Sequence, residues 1–257
     1  MDWAERVAAA SRAWVWVPET AVRVETRDYL LVRFPDYFEH PLAVLDFHPQ
    51  GDPERAADAL LDRARELELP QLMWWVRLGA APGTDELLRA RGGTLHETLD
   101  VLALDLGHGV PDLGDVPAGL RWTTDERTLR DAYSVLTVVF GGAVPPDQRL
   151  RVESEQVARD HAAGRGGGVV AYLDERPVGT GGLTVADGVG RLWSGSVLEA
   201  HRGRGIYRAL LVARLEYAVR HGADLALVKG RVDTSGPILR RAGFTAHGQE
   251  RGYVVPL

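Results

Sequence analysis

A ten-residue stretch from the first half of the chain is matched at five positions near its end. LLRARGGTLH, residues 87–96, lines up with ILRRAGFTAH, residues 238–247, matching Leu88 with Leu239, Arg89 with Arg240, Gly92 with Gly243, Thr94 with Thr245 and His96 with His247. A shift of one residue then sets ALL at 59–61 on ALL at 209–211. A repeat of this kind restricts the fold to two related halves, each solving the same packing problem. The 257 residues suffice for two domains, at about 100–150 residues each. Between them GHGVPDLGDVPAG, residues 107–119, holds four glycines and two prolines without hydrophobic periodicity, the pattern of a connector. The expected organisation is a first domain over 1–106, a linker over 107–118 and a second domain over 119–257.

Beyond the connector, strand and helix signals alternate. GLRW reads as a strand, ERTLRDAYSVLTVVF and DQRLRVESEQVARDHAA as helices, and GGVVAYL and RPVGTGGLTV as strands joined by a turn at Asp174 to Arg176. Strand GRLWSGSVL, helix IYRALLVARLEYAVRH, strand DLALVKG, helix SGPILRRAG and a last strand near ERGYVVPL follow. Ile206, Leu210, Leu211, Leu215, Ala218 and Val219 recur at three- and four-residue steps, so one face of the long helix is expected to be buried. The first half repeats the order of helix, strand (QLMWWVR), helix, Gly-rich turn and strand. The fold class is mixed α/β.

The halves differ most where a strand meets its helix. The second half has HRGRGIYRALL at 201–211, with three arginines and no acid; the first has PQGDPERAADALL, with Asp52, Glu54 and Asp58 against Arg55. A helix N-terminus offers unpaired N–H groups and partial positive charge, and glycines let an anion approach. Gly203 and Gly205 with Arg202 and Arg204 therefore suit a diphosphate, whereas the acidic loop of the first half repels one. A solvated Gly-rich turn is the plainer reading of the same residues. No GxxxxGK[ST] is present, and the dinucleotide fingerprint fails at Arg208.

VLEAHRGRGIYRALL resembles the signature of the GNAT superfamily of N-acyltransferases, in which a strand ends in a bulge and enters an R/Q-x-x-G-x-G/A loop. Arg202, Gly203, Arg204, Gly205 and Ile206 fall on that motif, and Tyr207 stands where the last Gly or Ala is usual. The resemblance implies a mostly antiparallel sheet flanked by helices and a tandem plan with a degenerate first copy. It implies acetyl-coenzyme A as cofactor, held by Val197, Leu198, Arg202, Gly203, Arg204, Gly205, Ile206, Tyr207 and Arg208, with Thr234 or Ser235 on its arm. It further implies that the backbone amide of Val197 faces the thioester oxygen and that a small-molecule amine attacks directly. Ser196 is a weaker catalytic candidate, as an orienting hydroxyl for water. The tyrosine that often protonates the thiolate from the closing helix is replaced by Leu239, and GRLWSGSVL carries no carboxylate. A non-catalytic acyl-coenzyme A sensor and a protein or peptide N-acetyltransferase remain alternatives.

The chain has no cysteine, which removes disulfides, Cys metal sites and an acyl-cysteine intermediate. Net charge of −6 argues against general attraction to nucleic acid. No apolar run approaches the roughly 18 residues of a membrane span, and the expected location is the cytoplasm, as a monomer or homodimer. The eight histidines show no close ligand spacing, so no metal is assigned. His201 reads either as a phosphate contact or as a turn residue, and Trp74 and Trp75 as strand core or as stacking groups. Gly141 and Gly142 in FGGAVPP are read as hinges of a covering loop.

Overall fold

The computed structural model describes residues 2–36, 38–114 and 118–257. They form two compact units, and neither is continuous in sequence: one comprises Met1–Val101, Gly230–Pro237 and Ala246–Leu257, the other Leu102–Lys229 and Ile238–Thr245.

Unit 1 opens with α1 (Trp3–Ala13), started by a capping box in which Asp2 and Glu5 satisfy each other's backbone N–H. Strands β1 (Val22–Glu25), β2 (Tyr29–Arg33) and β3 (Leu42–Phe47) pair as antiparallel neighbours. Helix α2 (Pro53–Arg65) then crosses to β4 (Gln71–Val76), which lies parallel to β3. After α3 (Thr84–Ala90) comes β5 (Thr94–Asp105), whose residues up to Val101 stay in this unit. The neighbour of β4 is the chain's last strand, numbered β11 (Thr245–Pro256), antiparallel with Tyr253 opposite Trp74. Trp74, Tyr253 and Val255 are fully buried with Leu42, Leu60, Leu88 and Phe47, so Trp74 is strand core. Apolar β-branched and aromatic side chains meeting on one pleated face explain the pairing.

Unit 2 takes the end of β5 and then β6 (Gly119–Trp122), α4 (Glu126–Phe140), α5 (Asp147–Ala162), β7 (Gly166–Leu173), β8 (Arg176–Ala186) and β9 (Val189–Val197). Helix α4 starts where Asp125 and Thr128 form a capping box. The β7–β8 turn uses left-handed Asp174 and Glu175, the conformation of a two-residue hairpin. Helix α6 (Ile206–Arg220) leads to β10 (Leu225–Arg231), parallel to β9, and α7 (Ser235–Arg241) follows. The strand order is β10-β9-β8-β7-β6. Each unit thus contains a strand–helix–parallel strand crossover, β3–α2–β4 in one and β9–α6–β10 in the other.

Three sequence expectations change. The division by packing differs from a cut at the 107–118 connector, because β11 buries Tyr253 and Val255 in unit 1 while the end of β5 serves unit 2. Strand β11 begins at Thr245, well before ERGYVVPL. On α6, Val219 is exposed, whereas Ile206, Leu210, Leu211, Leu215 and Ala218 are buried as expected and Arg214 joins them. Within the described residues no helix is long and apolar enough to cross a membrane.

Candidate active site

Strand β9 of unit 2 is interrupted part-way along its length. The β8–β9 register slips between Thr180, opposite Ser196, and Gly182, opposite Trp193. Ser194 takes a left-handed φ of 49° there, so two residues of β9 bulge against Gly181. Trp193 folds over Gly182, where a Cβ would overlap the indole.

Past the bulge the ladder is regular. The Leu198 N–H donates to the Val178 carbonyl at 2.9 Å, and antiparallel N–H groups alternate in direction. The N–H of Val197 is therefore turned away from β8. On that other side, pairing with β10 ends at Leu192 opposite Val228, although β9 continues to Val197. Among the described residues, the free edge of β9 thus carries an amide with no strand against it. The Leu198 amide, a sequence candidate for the cofactor, is already used by Val178. The carbonyl of Val197 accepts Nε of Arg202 at 3.2 Å, which ties the loop to the strand end.

A short 3-10 turn, Glu199–His201, leads into the loop. Arg202, Gly203 and Arg204 are exposed. Gly203 (φ 75°) and Gly205 (φ 79°) adopt left-handed backbone, and Gly205 caps α6 without any side-chain acceptor for the first N–H groups. Its counterpart α2 is different: the Asp52 carboxylate accepts from Glu54 N–H at 3.0 Å, and Pro53 occupies the first turn. One helix start is satisfied by its own aspartate; the other is open to an external anion.

The remaining sequence candidates are scattered around this core. Ile206 is buried under β9 with Leu210 and Val197. Arg208 donates to the Leu113 carbonyl at 3.1 Å, so its guanidinium is engaged on the connector. His201 has a buried Nδ1 without a hydrogen-bond partner among the described residues. Thr234 and Ser235 belong to unit 1, where the Ser235 hydroxyl accepts from Arg231 N–H at 2.9 Å. The neighbouring Asp233 lines a cavity of about 470 Å³ with His96, Glu97 and Arg231.

Ser196 pairs with Thr180 and is 5% exposed. Its Oγ has no hydrogen-bond partner among the described residues, whereas Thr180 Oγ1 is used by the Val169 carbonyl at 3.0 Å. Two carboxylates of unit 2 are also occupied. Asp131 accepts the Tyr172 hydroxyl at 2.7 Å and Glu153 the Tyr133 hydroxyl at 2.6 Å. Burial first, and then the adjacent carboxylate, push both phenols well above the ordinary tyrosine range.

The bulge of the strand before the loop was implied by the family resemblance, and the register places it at Ser194–Gly195. Sequence reasoning missed two features. Arg214 is buried although arginine normally marks a solvated face. In unit 1, Glu39, His40 and His96 bring one ligand atom each within 4.8 Å of one another, a proximity that their separation in sequence conceals.

Residues 130–237 match the family described as Acetyltransferase (GNAT) family. The chain is 28% identical over 120 residues to a Bacillus subtilis (strain 168) protein named uncharacterized N-acetyltransferase YjcF, covering 47% of this chain and 80% of that one. It is similar in fold to a GCN5-related N-acetyltransferase from Kribbella flavida, with TM-score 0.69, 18% identity and coverage of 100% and 97% of the two chains. Another from Sphaerobacter thermophilus gives TM-score 0.66 at 20% identity over 96% and 84%. A tandem GNAT protein from the clavulanic acid biosynthesis pathway gives 0.65 at 18% over 99% and 93%.

Proposed function

Residues 130–237 of this chain are a GNAT acetyltransferase domain, and from that premise we propose that unit 2 binds acetyl-coenzyme A and transfers the acetyl group to the amine of a small molecule. The observation that carries this reading is the uncapped start of α6, opened by Gly203 and Gly205 and flanked by Arg202 and Arg204, beside the unpaired amide of Val197. Hydrogen bonds to charged oxygens contribute about 1.5–3 kcal/mol each. Four or five of them hold a diphosphate at micromolar strength after binding entropy is subtracted.

The neutral amine attacks the thioester carbonyl, forming the C–N bond; the C–S bond then breaks with its electron pair on sulfur, the thiolate takes up a proton, and the new amide nitrogen gives one up. The Val197 N–H supports the negative charge on the carbonyl oxygen, a role in which one donor contributes about 2.7–4 kcal/mol. Ser196 Oγ, buried and unpartnered, supplies a hydroxyl to orient the acceptor amine or a water beside it. Because β9 carries no carboxylate, the acceptor is an amine that is largely neutral near pH 7, of the α-amino or amino-sugar class. Unit 1, whose corresponding helix is capped by Asp52, binds no cofactor in this reading.

Thiol release from acetyl-coenzyme A, followed against amino acids, amino sugars, polyamines and peptides, tests the reading. A saturable signal with a small low-pKa amine supports it. Cofactor binding without release under any amine replaces transfer with acyl-coenzyme A sensing. Preference for a peptide or protein amine replaces the small-molecule acceptor.

A further inference from the structure

Arg214 lies mid-way along α6 and is 1% exposed. Its Nε donates to the carbonyl of Leu210 at 2.9 Å and its Nη1 to that of Gly182 at 3.3 Å, while Nη2 has no hydrogen-bond partner among the described residues. Among the described residues no carboxylate faces it: burial lowers its pKa, and the Tyr207 phenol beside the guanidinium opposes this by its charge and by hydrogen bonding.

The surroundings are cut to hold these two side chains. A Cβ on Gly181 would stand 2.8 Å from the guanidinium carbon. A Cβ on Gly195 would stand 3.0 Å from Tyr207 Cε2 and 3.3 Å from both Tyr207 Oη and Arg214 Nη2. Phenol and guanidinium therefore flank one point directly against the bulge residue Gly195. A buried cation with no carboxylate beside it is costly, and apolar residues of similar size usually pack as well or better. Leu210, Leu211 and Leu215 around it show what packing alone selects. A cation retained at such a position is explained by a negative charge that appears beside it during the reaction.

We propose that Tyr207 is the proton donor to the departing thiolate and that Arg214 is the positioning residue that holds the phenolate left behind. The assignment rests on the acetyl-transfer reading. As the tetrahedral adduct collapses, the C–S electron pair moves to sulfur and the Tyr207 O–H proton follows, giving the free thiol. The proton lost by the new amide nitrogen passes to water, and water returns one to Tyr207, so that the net change is amine plus thioester to amide plus thiol. A coenzyme thiol with a pKa of about 8.5 leaves more readily when protonated, and a positioned acid contributes roughly 10²–10⁴-fold.

The test is a double-mutant cycle of Tyr207→Phe and Arg214→Lys. Acetyl-coenzyme A affinity is measured by calorimetry, and kcat by thiol release with the best amine of the panel. The proposal expects Tyr207→Phe to keep affinity within about twofold and to lose kcat by about 10²-fold. It expects Arg214→Lys to slow the wild type and to have no further effect on kcat in the Tyr207→Phe background. A Tyr207→Phe enzyme within about threefold of wild-type kcat overturns the proton-donor role. Equal slowing by Arg214→Lys in both backgrounds overturns the positioning role and leaves a structural one. If Arg214→Lys does not fold, Tyr207→Phe decides alone, with loss of the solvent deuterium isotope effect on kcat as its second readout. A wild type that releases no thiol with any amine removes the transfer reading itself, which is a different failure.

Discussion

Arg77 donates its Nε to Glu250 Oε1 at 3.1 Å, with both side chains almost completely buried. The Ser11 hydroxyl reaches the same oxygen at 2.9 Å, and Arg77 Nη1 binds the Leu45 carbonyl at 3.0 Å. One ion pair therefore joins α1, the end of β3 and the residue after β4 to the chain's final strand. Removing one partner of such a pair leaves a buried charge uncompensated, at a cost of about 3–5 kcal/mol. Glu250→Ala is expected to lower urea-unfolding stability by that amount, and Glu250→Met with Arg77→Met to recover most of it. A loss under about 1 kcal/mol in the single variant counts against the pair.

The same strand predicts the fate of a fragment. Residues 113–257 contain β11 without β4, so Tyr253 and Val255, both fully buried in unit 1, lose their partners and expose a strand edge. Such edges pair with other copies. The fragment is expected to aggregate or to lack activity, and size-exclusion chromatography with the thiol-release assay checks it. A monodisperse, fully active fragment removes the dependence.

Helix α4 was legible from sequence to the residue, because apolar spacing supplied its face. The pairing of β11 with β4 was not, since the cue of alternating Tyr253 and Val255 identifies a strand but not which half of the chain it joins. At the candidate site, the exposed loop at 202–205 with its left-handed glycines was legible from glycine and arginine chemistry. The engagement of Arg208 on Leu113 and of the Leu198 amide on Val178 depends on tertiary geometry alone. Arg214 was hidden for a sharper reason: hydrophobic periodicity discards an arginine by rule, and only glycine gaps across β8 and β9 explain its burial.

The contrast between the two helix starts predicts cofactor stoichiometry. One acetyl-coenzyme A is expected per chain. Arg202→Glu combined with Gly205→Glu is expected to weaken binding at least about 30-fold, through lost charge-assisted bonds of about 1.5–3 kcal/mol each. Asp52→Ala, which only uncaps α2, is expected to leave affinity unchanged and to reduce stability by about 0.5–2 kcal/mol. Calorimetry and thermal melting read the two effects. Unchanged affinity in a folded Arg202/Gly205 variant sinks the loop as the cofactor site.

His161 gives unit 2 a pH dependence. Its ring stacks on Tyr217 at 4.8 Å and meets Trp122 at 4.7 Å, and its Nδ1 is buried without a hydrogen-bond partner among the described residues. Burial, opposed in part by a backbone hydrogen bond at Gly166, holds its pKa below the ordinary 6.5. The unfolded chain therefore binds a proton at a pH where the native ring stays neutral, so stability present above about pH 6.5 declines as pH falls through the folded pKa. The melting temperature of wild type is expected to drop from pH 7.5 to 5.5 by more than that of His161→Phe. Parallel pH profiles for the two proteins argue against the buried neutral ring.

The absence of a carboxylate from β9, with Asp131 and Glu153 already bound to Tyr172 and Tyr133, makes the acceptor's own pKa decisive. For a lysine-type amine with a pKa near 10.4, reaching the neutral form at pH 7 costs about 4.6 kcal/mol, against about 1 kcal/mol for an α-amine near 7.7–8.0. kcat/KM is therefore expected to rise about tenfold per pH unit up to pH 9 with a lysine-type acceptor. With an α-amine or amino sugar it is expected to level off near pH 8. Ser196→Ala is expected to lower kcat with either class without changing the pH at which the profile bends, because the hydroxyl orients the amine and does not take its proton. Profiles over pH 6–9 with matched acceptors decide this. A plateau below pH 7 with the lysine-type amine would require a base that this arrangement does not supply.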